Sequence, residues 1–399
     1  MRSTRRTTLL ATVAVGTAAT MLGGSASAAP EPRQQTRDIM LVGNNWDGTV
    51  DLLDARSFDT YQRINVVPDL AERTAEMTPD ERAAMLLIRE QAGEGHDQLV
   101  DDIAVSPDGR TMYVSRPSLG DAAAFDVATG GQVWHTDVDG YRSDHMALSP
   151  DGETLVVSAT TANVVDVVDT ATGAIRTTFP TGDFPHENQF SADGETLYNA
   201  TIGRVIAPDE PLLDAAKGNR WLSIVDADTM QVEKVIDFGI GIRPFLVLPD
   251  QRTMYAQLSF LNGFVEYDLV EERRTRTVHL PLSDEAKAMN REDYPLDSAH
   301  HGLAMNNDRS KICDAGTISD YAAILSVPAL TTDQIVPVGK KPYWAAASLD
   351  GQHCFLSNSD SDDISVVTFD RPREVARIPV GDHPQRVRAY EIPVDALHR

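Results

Sequence analysis

The stretch Ser106-Pro107-Asp108-Gly109-Arg110-Thr111-Met112-Tyr113-Val114-Ser115 returns as Ser149-Pro150-Asp151-Gly152-Glu153-Thr154-Leu155-Val156-Val157-Ser158. It returns again at Ser191-Ala192-Asp193-Gly194, ahead of Thr196-Leu197-Tyr198. Weaker copies stand at Leu248-Pro249-Asp250-Gln251, Asn306-Asn307-Asp308-Arg309 and Ser348-Leu349-Asp350-Gly351. The turn aspartates are 43, 42, 57, 58 and 42 residues apart, a basic period of about 42 with two lengthened repeats. Four short strands fill such a period. An apolar strand runs into the turn, and Pro and Gly supply the turn dihedrals. A β-branched or aromatic strand follows. A third strand ends in Asp (Ala124-Phe125-Asp126, Val167-Val168-Asp169, Ile224-Val225-Asp226), and a Thr-Gly-type turn leads to a fourth. Alternation of apolar and polar residues favours strands throughout.

This arrangement resembles the YVTN-type β-propeller repeat family over about residues 38–392. The nominal Tyr-Val-Thr-Asn is degraded here to Tyr113-Val114-Ser115-Arg116 and Phe355-Leu356-Ser357-Asn358. The resemblance implies a seven-bladed propeller and leaves activity open, because a fold does not fix a function. The repeat count agrees: six turns give six blades. The segment from Ile39 begins mid-pattern without a first strand, and Arg386 to Ile392 is an orphan one. The two ends are expected to share a blade, closing the ring and removing free sheet edges. The fold class is therefore all-β, with a short helical insertion.

The 399 residues carry 35 basic and 60 acidic side chains, a net charge of −25. Such a surface repels nucleic acid and anionic lipid. No stretch after the N-terminus has the roughly 18 apolar residues of a membrane span. Residues 1–28 read as an export signal: Arg2, Arg5 and Arg6, an apolar run from Leu9 to Leu22, then Ala26-Ser27-Ala28 for cleavage. Arg5-Arg6 suits either twin-arginine or general export. Cleavage leaves 399 − 28 = 371 residues and a charge of −25 − 3 = −28. Residues 29–37 read as a mobile tail and 38–399 as one propeller domain.

Three insertions break the period: 68–97, 204–219 and 282–298. The first contains a helix start, Thr78-Pro79-Asp80-Glu81, and a short helix from Ala83 to Glu90. The first and third join the fourth strand of one blade to the first of the next, so both rim one mouth of the channel. That loop-bearing face offers a surface for a protein partner.

First strands line a propeller's channel, and six of the ten histidines fall just before them: His96, His145, His186, His300, His301 and His383. Imidazoles meeting on the axis make a divalent-metal site for Zn, Cu or Fe, and carboxylate or amide oxygen admits Mn. The expected ligands are His145, His186 and His301, with His383, Glu187 or Gln385 as fourth ligand or water-holder. His300, adjacent to His301, points the other way along an extended strand. Catalytic candidates are His96, His300, Tyr343 and Arg243. Glu187, Asn188, Trp344 and Arg386 are candidates for substrate binding. Arginines in so acidic a chain either clamp an anionic substrate or pair with channel acids such as Asp97 or Asp144. The main functional expectation is a secreted metal-dependent enzyme of lyase, lactonase or isomerase type, acting on a small polar or anionic substrate. The alternative is a non-catalytic propeller that binds a ligand or protein. No Gly-x-Ser-x-Gly, no Cys-x-x-Cys-His and no His-Glu-x-x-His is present. Cys313 and Cys354 fall at opposite parity on the second strands of consecutive blades. They face each other across one seam if the phase holds, and export allows either a disulfide or two buried thiols.

Overall fold

The computed structural model describes residues 35–209 and 211–398. The export signal and most of the expected tail lie outside these residues. Seven four-stranded antiparallel sheets form the blades of a propeller. Blade 1 is built from both ends of the chain. The C-terminal strand Pro384–Pro393 is its innermost member and pairs with Thr36–Asn44, placing Met40 opposite Ala389 and Ile39 opposite Tyr390. The N-terminal strand thus starts at Thr36, inside the segment expected to be a tail. Blades 2 to 7 follow in chain order, with innermost strands at Asp102–Val105, Ser143–Leu148, Pro185–Phe190, Ile242–Val247, Leu303–Met305 and Pro342–Ala347.

The strand patterns explain the layering. Second strands are sandwiched between neighbouring blades, so both faces are apolar: Leu155, Val156 and Val157 are all fully buried. A continuous β-branched run is the signature of such two-sided burial. Fourth strands lie at the rim and alternate, as Gln132–Asp137 does. The repeated turns fasten blade to blade. Ser149 Oγ accepts the Thr154 amide at 3.0 Å and bonds Asp151 at 2.5 Å. Gly152 holds φ +78°, and a Cβ there would sit 2.4 Å from Cδ of Pro107, in the previous blade's turn. The repeated proline and glycine are therefore paired across the seam as well as within their own turns. Cys313 and Cys354 are joined as a disulfide across the seam between blades 6 and 7.

Thr78 caps a helix over Pro79–Gln91, exchanging bonds with Glu81 in a capping box. A second helix, Leu70–Glu76, precedes it and has no counterpart in the sequence reading. Buried Arg116, the last residue of a degraded repeat, anchors this insertion by pairing with Asp69 at 2.6 Å and Asp121 at 2.7 Å. In each blade the second-to-third loop opens on the same face as the fourth-to-first connection. The insertion 204–219 is a second-to-third loop, between Thr196–Thr201 and Trp221–Asp226. All three insertions therefore rim one mouth, where the sequence reading had joined only the first and third.

Candidate metal centre and cavity

A cavity of about 110 Å³ opens at that mouth. Leu87 and Ile88 of the capped helix, Val205 and Ile206 of the second insertion and Leu296 of the third reach into it. Its floor is made by residues that begin the inner strands of blades 3 to 7, or just precede them: Arg142, Asp144, His145, His186, Arg243, His301 and Tyr343. Chain segments far apart in sequence meet here because every blade directs its first strand at the axis.

His145, His186 and His301 form one group. Ring centres are 3.8 Å apart for His145 and His186, 5.5 Å for His186 and His301, and 6.2 Å for His145 and His301. Imidazoles sharing one ion at about 2.0–2.1 Å bring their ring centres to about 5 Å. Donor atoms of Asp144, His145 and His186 lie within 4.8 Å of one another. All three histidines are buried. Burial lowers the His145 pKa to about 3, and it pushes those of His186 and His301 well below the usual value. They are therefore neutral, the form that binds metal.

Their free nitrogens follow from their partners. His145 Nδ1 lies 2.6 Å from Glu187 Oε2. His301 Nδ1 lies 3.1 Å from the Tyr343 carbonyl oxygen, which can only accept. In both neutral rings the proton is on Nδ1 and the lone pair on Nε2. Nε2 of His301 and Nδ1 of His186 are buried without a hydrogen-bond partner among the described residues. Orphaned imidazole lone pairs converging beside a carboxylate fit a divalent metal, and carboxylate or carbonyl support of the far nitrogen is the usual outer shell of such sites.

Beside this group stand two carboxyls that the sequence did not single out as a pair. Burial, then the negative charge of Asp144, pushes Asp101 well above the carboxylate range. Burial pushes Asp144 up too, but Arg142 and the imidazoles pull it well below. Asp101 is thus the protonated partner and Asp144 the charged one. Asp144 bonds Arg142 and accepts from Thr160 Oγ at 3.1 Å. Arg142, two residues before Asp144, was missed altogether, and its place near the slot was the only available signal.

The remaining candidates divide. Arg243 and Tyr343 line the cavity, and Tyr343 stacks on His301 at 4.2 Å. Gln385 also lines it, with its oxygen held by Asn45 at 2.8 Å. Glu187 orients His145. Asn188 donates to the His145 carbonyl at 3.1 Å and to Ser158 Oγ at 2.8 Å, so it fixes the backbone under the rings. Trp344 packs edge-on against His145 and carries the Arg386 guanidinium 3.4 Å above its ring. Arg386 meets Asp102 at 2.9 Å and Glu187 at 3.5 Å. Glu187, Asn188, Trp344 and Arg386 are therefore packed beneath the histidines and do not line the cavity. This corrects their expected placement, because short inner strands carry them deeper into the channel.

Three histidines lie elsewhere. His383 and His96 sandwich Trp46, each 3.8 Å from it and nearly parallel, and neither lines the cavity. The fourth ligand expected at His383 is thus not in the group. His300 points away from the cavity, although it and His301 precede the strand Leu303–Met305 and do not lie on it. It bonds Asp314 at 2.9 Å, Asn262 at 3.1 Å and the Tyr321 hydroxyl at 3.1 Å. Neither His300 nor His96 is placed for catalysis in the cavity.

No family model matches the chain, so the YVTN likeness remains one of repeat pattern. No curated protein matches it either. Solved structures do. Kuenenia stuttgartiensis hydrazine synthase superimposes with a TM-score of 0.59 at 18% identity, over 80% of this chain and 89% of that one. The dihydro-heme d1 dehydrogenase NirN, in complex with DHE, gives 0.58 at 12% identity, over 93% and 79%. At such identities the likeness shows the fold.

Proposed function

We propose that this chain is an exported, divalent-metal-dependent enzyme acting on a small anionic substrate in the cavity. One observation carries the reading: donor atoms of Asp144, His145 and His186 lie within 4.8 Å of one another on the cavity floor beside His301, and ring nitrogens of His186 and His301 are buried there unpaired. His145, His186 and His301 would hold the ion, with Asp144 beside them. Imidazole donors suit Zn, Cu or Fe, and the carboxylate admits Mn. The ion would supply Lewis acidity toward a carboxylate or carbonyl oxygen, or toward a water. Arg243 would receive the anionic group. Asp101, held protonated, would donate a proton, and Asp144 would keep Arg142 and the His145 amide in place. Proton transfer of this kind serves lyases, lactonases and isomerases alike.

Export is supported by the N-terminal signal pattern and by the Cys313–Cys354 bridge, which suits an oxidising compartment. Among the described residues no helix is long and apolar enough to cross a membrane. A non-catalytic binding propeller is the second reading, favoured by Leu86, Leu87 and Leu212, which are exposed on the insertions.

The test is the metal content of the mature chain, purified without chelator, beside a His145→Ala/His186→Ala/His301→Ala variant. Near-stoichiometric metal, lost in the variant, supports the enzyme reading. No metal in either protein, even after incubation with Mn, Zn, Cu and Ni, removes it in favour of the binding propeller.

A further inference from the structure

We infer that the ligand of the cavity is an amphipathic monoanion: a carboxylate on an aromatic or branched aliphatic body about the size of one six-membered ring. This rests on the reading of the cavity as a substrate site and names what fills it.

The first observation is an imbalance of charge. Buried arginines in this protein have carboxylate partners: Arg116 has Asp69 and Asp121, Arg386 has Asp102, and Arg220 has Asp214. Arg243 is the exception. It is 1% exposed, donates through Nε to Ser259 Oγ at 3.1 Å and through a terminal nitrogen to the Leu296 carbonyl, and has no carboxylate within 4.0 Å among the described residues. The nearby acids do not serve it. Asp144 and Asp101 both face Arg142, and Asp297 is paired with Lys217 at 2.8 Å. A buried cation without its counter-charge is costly, so cations in protein interiors are paired. The missing negative charge falls to a molecule in the cavity that Arg243 lines.

The second observation is the wall. Phe184, Ile202, Ile206, Leu87 and Leu296 close around the space in front of Arg243. Gln98 and Thr160, which also line the cavity, are bonded to Ala92, Arg142 and Asp144, so a polyhydroxylated acid would place most of its hydroxyls against apolar side chains, and unpaired polar groups are rejected strongly. A cavity of about 110 Å³ suits a compact ring, since a cavity of about 150 Å³ holds benzene. Leu296 joins the two halves of the site. It is held at φ +45°, with its carbonyl on Arg243 and its side chain among the cavity's lining residues. A non-glycine residue kept in that region of backbone space is typical of ligand clamps.

The experiment is calorimetric titration of the full mature protein, chelator-treated and zinc-loaded, with phenylacetate, phenylacetamide and galacturonate. Phenylacetate is expected to bind at least tenfold more tightly than the other two. Arg243→Gln should abolish the preference for phenylacetate over its amide. Leu87→Asp, at the exposed rim, should weaken phenylacetate and phenylacetamide together, and it decides the point if Arg243→Gln does not fold. Equal or tighter binding of galacturonate, no binding of any of the three, or a folded Arg243→Gln that keeps the charge preference would overturn the inference. Metal content of the same samples separates the two readings. Metal without the ligand preference overturns the inference alone, and the preference without metal overturns the metalloenzyme alone.

Discussion

His145 Nδ1 and Glu187 Oε2 are 2.6 Å apart, and the two residues come from the inner strands of blades 3 and 4. The carboxylate decides which nitrogen of His145 faces outward, so the seam between two blades sets the donor character of the cavity floor. Arg386, 3.5 Å from the same carboxylate, holds Glu187 in turn.

Removing that carboxylate should weaken the metal site without emptying it. For Glu187→Ala we expect a loss of about 10–100-fold in metal affinity, the usual effect of deleting an outer-shell partner. Competition against a chelator of known affinity measures this. Unchanged affinity in a folded variant would show that Glu187 does not orient a ligand.

The two carboxyls at the floor should respond unequally to amide replacement. Asp101 is already neutral, so Asp101→Asn should change stability by less than about 1 kcal/mol at pH 7. Asp144→Asn takes the nearer carboxylate from Arg142, leaving Asp101 at 3.7 Å, and should cost about 1.5–3 kcal/mol. Denaturant melts of the two variants compare them directly. The reverse ranking would mean that the proton sits on Asp144.

Acid should destabilise the protein well before its carboxylates titrate. His145 has its pKa lowered to about 3 and His383 to about 2, both first by burial, and His186 and His301 shift in the same direction. Unfolded histidine titrates near 6.5, so between there and about 3 the unfolded chain binds more protons, and stability falls as pH falls. Each such histidine contributes a slope of up to about 1.4 kcal/mol per pH unit. Asp101, Asp121, Asp166, Asp360 and Asp382, all raised first by burial and Asp166 to about 6, act in the opposite sense. His353 is lowered in the same way, and unfolded histidine titrates between pH 7.5 and 5.5, so the five histidines set the sign over that interval. Urea midpoints at pH 7.5 and 5.5 should therefore differ, with the lower midpoint at 5.5. Equal midpoints would mean that the rings are not held neutral.

The disulfide spans 41 residues of sequence. Closing a loop of that length removes about 4 kcal/mol of unfolded-state entropy by the chain-entropy account. Replacing both Cys313 and Cys354 by Ala should lower the melting temperature, and reduction of the native protein should do the same. A reduced protein that melts at the native temperature would show that the bridge contributes nothing measurable to the fold's stability.

The sequence by itself determined the ring. A period of about 42 and a turn repeated six times specify blades, and the missing first strand before Ile39 matches the spare one after Pro384. Those are local patterns, and strand alternation and turn chemistry act over a few residues. Strand parity also brings Cys313 to Cys354. Tertiary structure decided the rest. Whether a histidine in the common slot reaches the axis depends on how its blade tilts and what packs against it. The slot therefore gave His145, His186 and His301 together with His383, which Trp46 holds aside. Likewise the proton on Asp101 and the unpaired charge of Arg243 exist only because burial and the neighbouring blades fix their surroundings. Pairing between residues that are distant along the chain leaves no periodic trace in it.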